Sequence, residues 1–140
     1  MTESQDSVAG YTVTVLDHGI RPRNLGEIDK ADGYAKITGP CGDTIEVWVT
    51  VKNDIVTDIR FMTDGCITSL ASGSMATTLA KGKSIAKALG FSQQDILEAL
   101  GGLPEDSEHC ALLASNTLRA AIKDYLTIKD NPWKKLYRTY

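Results

Sequence analysis

Residues 44–62 read TIEVWVTVKNDIVTDIRFM and decide the fold, because two alternating runs flank Asn53-Asp54. From Ile45 to Val51 apolar residues occupy every second position, which is the period of a β-strand with one face in the core. Asn and Asp tolerate positive φ, so Asn53-Asp54 predicts a two-residue turn and an antiparallel hairpin. In the second run the inward positions are predicted to be Ile55, Thr57, Ile59 and Phe61.

Strand signals continue upstream of this hairpin and helix signals follow it. Ala31-Asp32-Gly33 is a turn signal, and it predicts a third strand over Tyr34–Thr38. Beyond Phe61 the apolar period changes from two to about four. The predicted helices cover Tyr11–His18, Ile67–Leu79, Ser84–Leu89, Gln93–Leu100 and Cys110–Tyr125, with a short basic helix within 129–140. This order predicts an α+β fold, with a small three-stranded antiparallel sheet and helices packed on one face.

Composition limits the class of protein. The chain has 140 residues, 42% of them hydrophobic, and a formal charge of −3, which predicts one folded domain over 1–140 with a loose segment at 1–10. The acidic balance argues against nucleic acid as a partner. No apolar run is long enough to cross a membrane and the N-terminus has no signal-peptide pattern, so the expected location is cytoplasmic.

Three cysteines lie where functional sites are often built. Cys41 is in a Gly-rich loop between two predicted strands, Cys66 directly precedes a predicted helix, and Cys110 lies in the first turn of another. Taken singly, each is more typical of a small buried hydrophobic residue. An odd number argues against a disulfide framework, and the separations match no zinc finger. Because helix N-termini favour anions, however, two of these thiols are placed to form thiolates.

Two further donors adjoin these cysteines. Asp43 is two residues from Cys41, and His109 directly precedes Cys110. By residue type alone, Asp43 is more typical of a turn and His109 of a helix cap. Together the three sulfurs, one imidazole and one carboxylate are enough to bind a four-coordinate metal or a cluster. A structural zinc module and a Cys–His hydrolase or transferase with Cys110 as nucleophile are the other classes that fit these residues.

The chain resembles the IscU/NifU N-terminal-domain family of iron–sulfur cluster assembly scaffolds. The resemblance runs from about Tyr11 to Tyr125 and is distributed over many short motifs in one order. These are Pro22-Arg23-Asn24-Leu25-Gly26, Ala31-Asp32-Gly33-Tyr34, Cys41-Gly42-Asp43, Gly65-Cys66, Lys81-Gly82-Lys83, Leu100-Gly101-Gly102-Leu103-Pro104 and His109-Cys110.

The resemblance implies a scaffold or carrier protein rather than an enzyme. It implies that iron in a labile [2Fe–2S] cluster, or zinc in its place, is bound by Cys41, Cys66 and Cys110, with Asp43 or His109 as the fourth ligand. A cysteine desulfurase would supply sulfur through a persulfide on Cys110. The cluster would then pass to acceptor apoproteins, with ferredoxin and an Hsp70-type chaperone as further partners. Both a monomer and a homodimer linked by a shared cluster fit the sequence.

Two comparisons refine this placement within the family. Members of the SufU type, which act as zinc-dependent sulfur acceptors, carry an insertion between the second and third cysteines and lack the His before the last one. This chain has a short interval and has His109, so it looks like the IscU type, and zinc-bound persulfide transfer is the alternative function. The family's chaperone-recognition stretch, LPPVK, is replaced by Leu103-Pro104-Glu105-Asp106-Ser107. This departure argues against chaperone-assisted release.

Overall fold

A computed structural model describes residues 10–133 of the chain. The elements follow the predicted order, with strands first and most of the helices after them. In chain order they are α1 Val13–Ile20, β1 Gly33–Thr38, β2 Thr44–Lys52, β3 Ile55–Thr63, α2 Ile67–Ala80, α3 Ile85–Leu89, α4 Gln93–Leu100, a 3-10 turn Glu105–Ser107 and α5 Glu108–Asp130. The α+β prediction is therefore confirmed. Most of the predicted basic helix at 129–140 lies outside the described residues, and Lys129 and Asp130 belong to α5.

The three strands form one antiparallel sheet in the order β1-β2-β3. Asn53 and Asp54 both have positive φ, 53° and 61°, and make the predicted turn. The prediction of which β3 side chains point into the core is wrong near this turn. Thr50 pairs with Asp58 but Val51 pairs with Val56, so Thr57 is an extra residue in a β-bulge. The bulge reverses the alternation, and Val56 is buried where the sequence predicted Ile55 and Thr57.

Helices α2 and α5 cover one face of the sheet, and two glycines set how closely α5 approaches β1. A Cβ on Gly33 would lie 2.3 Å from the carbonyl oxygen of Ala121, and one on Gly39 would lie 3.3 Å from Leu113. The start of β1 therefore packs near the middle of α5, and the end of β1 packs near the start of α5. This antiparallel arrangement brings the loop after β1, which carries Cys41, to the N-terminus of α5.

Helix α1 packs against α2, and the segment after α1 pairs with the outer edge of β3. The backbone of Asn24 accepts a hydrogen bond from Phe61 N–H, and Gly26 N–H donates to the Phe61 carbonyl, both at 2.9 Å. His18 is buried and its Nδ1 lies 2.7 Å from Ser74 Oγ on α2. No helix in the described residues is long and apolar enough to cross a membrane.

Candidate metal and cluster centre

Cys41 lies at the exposed tip of the tight loop between β1 and β2. Gly39 N–H donates to the Asp43 carbonyl at 2.8 Å, and Gly42 N–H donates to the Gly39 carbonyl at 3.0 Å. Gly42 has a φ of 94°, in the left-handed region that glycine adopts without a Cβ penalty. These bonds close the loop and direct both Cys41 and Asp43 toward the end of the sheet where α2 and α5 begin.

Cys66 is the N-cap residue of α2 and makes no capping hydrogen bond of ordinary length. Its thiol is exposed and lies 3.2 Å from the Thr68 hydroxyl. The pKa of Cys66 is lowered, and the hydrogen bond with this hydroxyl is the largest cause. Partial burial raises the pKa, and the N–H groups of Thr68 and Ser69 lower it further. The charge of Asp43 opposes this lowering more weakly. The thiolate expected at a helix N-terminus is thus favoured at Cys66.

Cys110 is the most buried of the three cysteines, with 2% of its surface exposed. Its Sγ lies 3.3 Å from the Thr68 hydroxyl, 3.6 Å from the Ser69 hydroxyl and 3.8 Å from Nε2 of His109. Because Thr68 also contacts Cys66, one hydroxyl bridges the two thiols. Cys110 is therefore linked by short contacts to both the first turn of α2 and its own helix.

His109 joins Cys41 to this group, although the two residues are far apart in sequence. Its Nε2 lies 3.1 Å from the Cys41 Sγ. Neighbouring side chains on a helix normally point about 100° apart, but here His109 and Cys110 both face the centre because they lie in the first turn of α5. The imidazole thus lies against two of the three sulfurs.

Asp43 is directed to a different partner. Its Oδ2 accepts a hydrogen bond from the Ser69 hydroxyl at 2.9 Å, and Ser69 is fully buried. A Cβ on Gly65 would lie 2.4 Å from Ser69 Oγ and 2.9 Å from Asp43 Oδ2, so only glycine leaves room for this contact. The carboxylate consequently lies at the start of α2, where the helix dipole favours a negative charge.

Thr68 and Ser69 also line the site, although no motif in the sequence marks them. Serine and threonine are common near helix N-termini, and the available signal was their position, two and three residues after Cys66 in the first helical turn. There a short hydroxyl side chain reaches back over the N-terminus. All five predicted donors, by contrast, lie within this one region of the molecule.

The donor chemistry fits a soft metal ion or an iron–sulfur cluster. Thiolates select zinc and iron–sulfur clusters, and imidazole or carboxylate can complete the coordination. In the described part of the chain, no three His, Cys, Asp or Glu side chains are already arranged around a metal position. The Cys41 and His109 side chains instead share a hydrogen bond, so a metal ion bound here would have to displace that proton and turn the donors toward itself.

Comparisons with known proteins agree on one family. The model of the NifU-like N terminal domain matches residues 10–131. The chain is 46% identical over 116 residues to a protein of Archaeoglobus fulgidus named iron-sulfur cluster assembly scaffold protein IscU 1, covering 82% of this chain and 76% of that protein. It is 39% identical over 120 residues to a protein of Haemophilus influenzae named iron-sulfur cluster assembly scaffold protein IscU, covering 82% and 94%.

A crystal structure titled as a nitrogen-fixing NifU-like protein (N-terminal) from Brucella abortus has the same fold. It superposes with a TM-score of 0.67 at 18% identity, over 83% of this chain and 94% of that one. The residues matched by the family model include every strand and helix of the described structure and all five candidate donors. The chain belongs to the NifU-like N-terminal domain family.

Proposed function

We propose that this protein is a scaffold on which an iron–sulfur cluster is assembled and from which it is transferred to acceptor apoproteins. In this role it is a carrier rather than an enzyme, and residues 1–140 act as one domain. The cluster is cargo, and we propose that it is a [2Fe–2S] cluster. Free thiols fit a reducing compartment, and we place the protein in the cytoplasm.

The observation that carries this proposal is the convergence of three thiols from three separate chain segments. Cys41, Cys66 and Cys110 meet where the sheet ends and two helices begin, and short contacts through His109 and Thr68 connect them. A structural zinc site commonly has four sulfur or imidazole ligands in a closed shell. Here two of the thiols are exposed, which suits a cluster that must be built and released. The scaffold names of the relatives support the same function.

Each donor has a distinct part in this function. The exposed Cys41 and Cys66 thiols are accessible to incoming iron, and the lowered pKa of Cys66 favours its thiolate as a first ligand. Zinc can occupy the same donors in the isolated protein. Asp43 or His109 supplies the fourth ligand. An oxygen ligand to iron is weaker than a thiolate, so Asp43 would make the cluster easier to release.

We propose a cysteine desulfurase as the sulfur donor and Cys110 as the acceptor. The Cys110 thiolate attacks the outer sulfur of the desulfurase persulfide, a new S–S bond forms, and the desulfurase cysteine leaves as a thiolate. Two electrons, one from each of two reduced ferredoxins, then cleave this S–S bond, which releases the outer sulfur as sulfide to the iron and leaves Cys110 as a thiolate. Since Cys110 is 2% exposed, this step requires His109 or the Cys41 loop to move aside.

The test is anaerobic visible absorption of the protein with desulfurase, cysteine, ferrous iron and a dithiol reductant in place of reduced ferredoxin, before and after addition of an apo-ferredoxin. We expect [2Fe–2S] absorption bands to develop and then to move to the acceptor when the two proteins are separated. Variants Cys41→Ser, Cys66→Ser and Cys110→Ser should each lose the bands. Ser72→Ala removes a buried hydroxyl on α2 that has no hydrogen-bond partner among the described residues, and it should retain them. Protein that stays colourless and retains zinc while accepting persulfide would replace this proposal with zinc-bound sulfur transfer.

A further inference from the structure

We propose that Ser69 is a positioning residue for Asp43. Its hydroxyl holds one carboxylate oxygen at the start of α2, so that the other oxygen is presented to the metal of the cargo. This inference rests on the proposed scaffold function, and it selects Asp43 rather than His109 as the oriented fourth ligand.

The hydrogen bond between Ser69 and Asp43 is well placed for this role. The Ser69 Oγ lies 2.9 Å from Asp43 Oδ2 and 3.6 Å from the Cys110 Sγ. A hydroxyl has a single proton, and a carboxylate is a much stronger acceptor than a thiol, so the proton is directed to Asp43. The bond engages Oδ2 and leaves the lone pairs of Oδ1 for a metal ion.

Asp43 is fixed at both its backbone and its side chain. Its carbonyl accepts from Gly39 N–H at 2.8 Å, and its carboxylate accepts from a serine that is fully buried. Gly65 completes the arrangement, since a Cβ there would collide with both Ser69 and Asp43. Little conformational entropy therefore remains to be lost when the carboxylate binds a metal ion.

His109 is placed differently. Its Nε2 lies 3.1 Å from the Cys41 Sγ and 3.8 Å from the Cys110 Sγ, so it contacts the two sulfurs directly. To bind a metal ion through Nε2 it must first give up these contacts. Asp43 keeps its bond to Ser69 while Oδ1 binds. Partners that orient a metal ligand in this way typically contribute 10–100-fold to metal affinity when tested by mutation.

The experiment measures Co²⁺ binding to the anaerobic apoprotein by its thiolate charge-transfer and d–d absorption. Co²⁺ takes the same donors as zinc and reports their number and type. We expect Ser69→Ala to weaken Co²⁺ binding by about 10–100-fold. The matched control is Ser72→Ala on the same helix, which removes a fully buried hydroxyl that has no hydrogen-bond partner among the described residues and should bind Co²⁺ like the parent.

A double-mutant cycle separates positioning from a general structural effect. In the Asp43→Ala background, Ser69→Ala should have no further effect on Co²⁺ affinity. Gly65→Ala provides a second route, because it displaces the carboxylate without deleting either partner, and it should weaken binding comparably. Thermal unfolding of each apoprotein shows whether the variant is folded at the temperature of the titration.

Three results would overturn the positioning role: a parent protein that binds no Co²⁺, a Ser69→Ala variant that binds it as tightly as the parent, or an equal loss with and without Asp43. The scaffold function is judged separately by cluster assembly. A parent that assembles and transfers a cluster while the Co²⁺ cycle shows no coupling loses only the role of Ser69. A parent that shows the coupling but builds no cluster loses only the scaffold function.

Discussion

Gly33→Ala tests whether the close approach of α5 to β1 maintains the fold. A Cβ at this position would lie 2.3 Å from the Ala121 carbonyl oxygen, and 2.9 Å from both Tyr125 Cβ and Val49 Cγ2. Real Cβ atoms essentially never approach other atoms within 3.0 Å, and a helix carbonyl cannot rotate away alone. Helix α5 must therefore move away from the sheet.

The expected cost follows from two opposing contributions. Overpacking of a core typically costs about 1–3 kcal/mol. Replacing glycine also restricts the unfolded chain, which stabilises the protein by about 0.4–1 kcal/mol. Because the main collision is with backbone, we expect the overpacking cost to be near its upper end. The net loss in the free energy of unfolding should be about 2–2.5 kcal/mol.

Equilibrium unfolding in urea, followed by far-UV circular dichroism, measures this loss as a lower midpoint at an unchanged m-value. Gly90→Ala is the matched control. Gly90 has φ −87° and ψ −8°, and a Cβ there would come no closer than 3.4 Å to other atoms. That variant should be as stable as the parent or more stable by up to about 1 kcal/mol. Equal stability of the two alanine variants would refute the packing argument.

Three further predictions follow from the site and the core. Asp43→Ala should assemble a cluster that transfers to apo-ferredoxin more slowly, because the weak oxygen ligand is gone; a parent-like transfer rate would contradict that role. Thr68→Val should raise the pKa of the Cys66 thiol, because it removes the hydroxyl that stabilises the thiolate. The pH midpoint of Cys66 alkylation, measured by peptide mapping, should then move upward, and an unchanged midpoint would disprove the assignment. Phe61→Ala should cost about 3–5 kcal/mol in urea unfolding, since its buried ring packs directly against Gly73 of α2; a loss below about 1 kcal/mol would show that the site collapses around the cavity.

Local signals located most of the elements correctly. The hairpin follows from strict alternation around Asn53-Asp54, and β2 spans the predicted residues 44–52. Helix α4 also has its predicted bounds, because Ser92 and Asp95 form a capping box at its start and Gly101, with φ 80°, ends it. These signals act between residues a few positions apart, so the sequence displays them directly.

The alternating pattern predicts the wrong buried residues where the pairing between strands decides which side chains point into the core. A bulge at Thr57 places Val56 in the core, and no residue of β3 alone marks it. Trp48 belongs to the face that the pattern leaves to solvent, yet it is only 3% exposed, with the Tyr34 ring 5.2 Å away on β1. The bonding of Asn24 and Gly26 to Phe61 at the sheet edge was not predicted either.

The sequence by itself determined the donors, their place at element ends, and the fold class, since residue type and short-range periodicity express all three. Only the tertiary structure decided which donors meet. Cys41 contacts His109 because the packing of α5 along β1 brings the end of one to the start of the other. Asp43 is directed to Ser69 because Gly65 leaves space for it at the start of α2. Such contacts join residues tens of positions apart, and they depend on packing distances that periodicity and residue type do not encode.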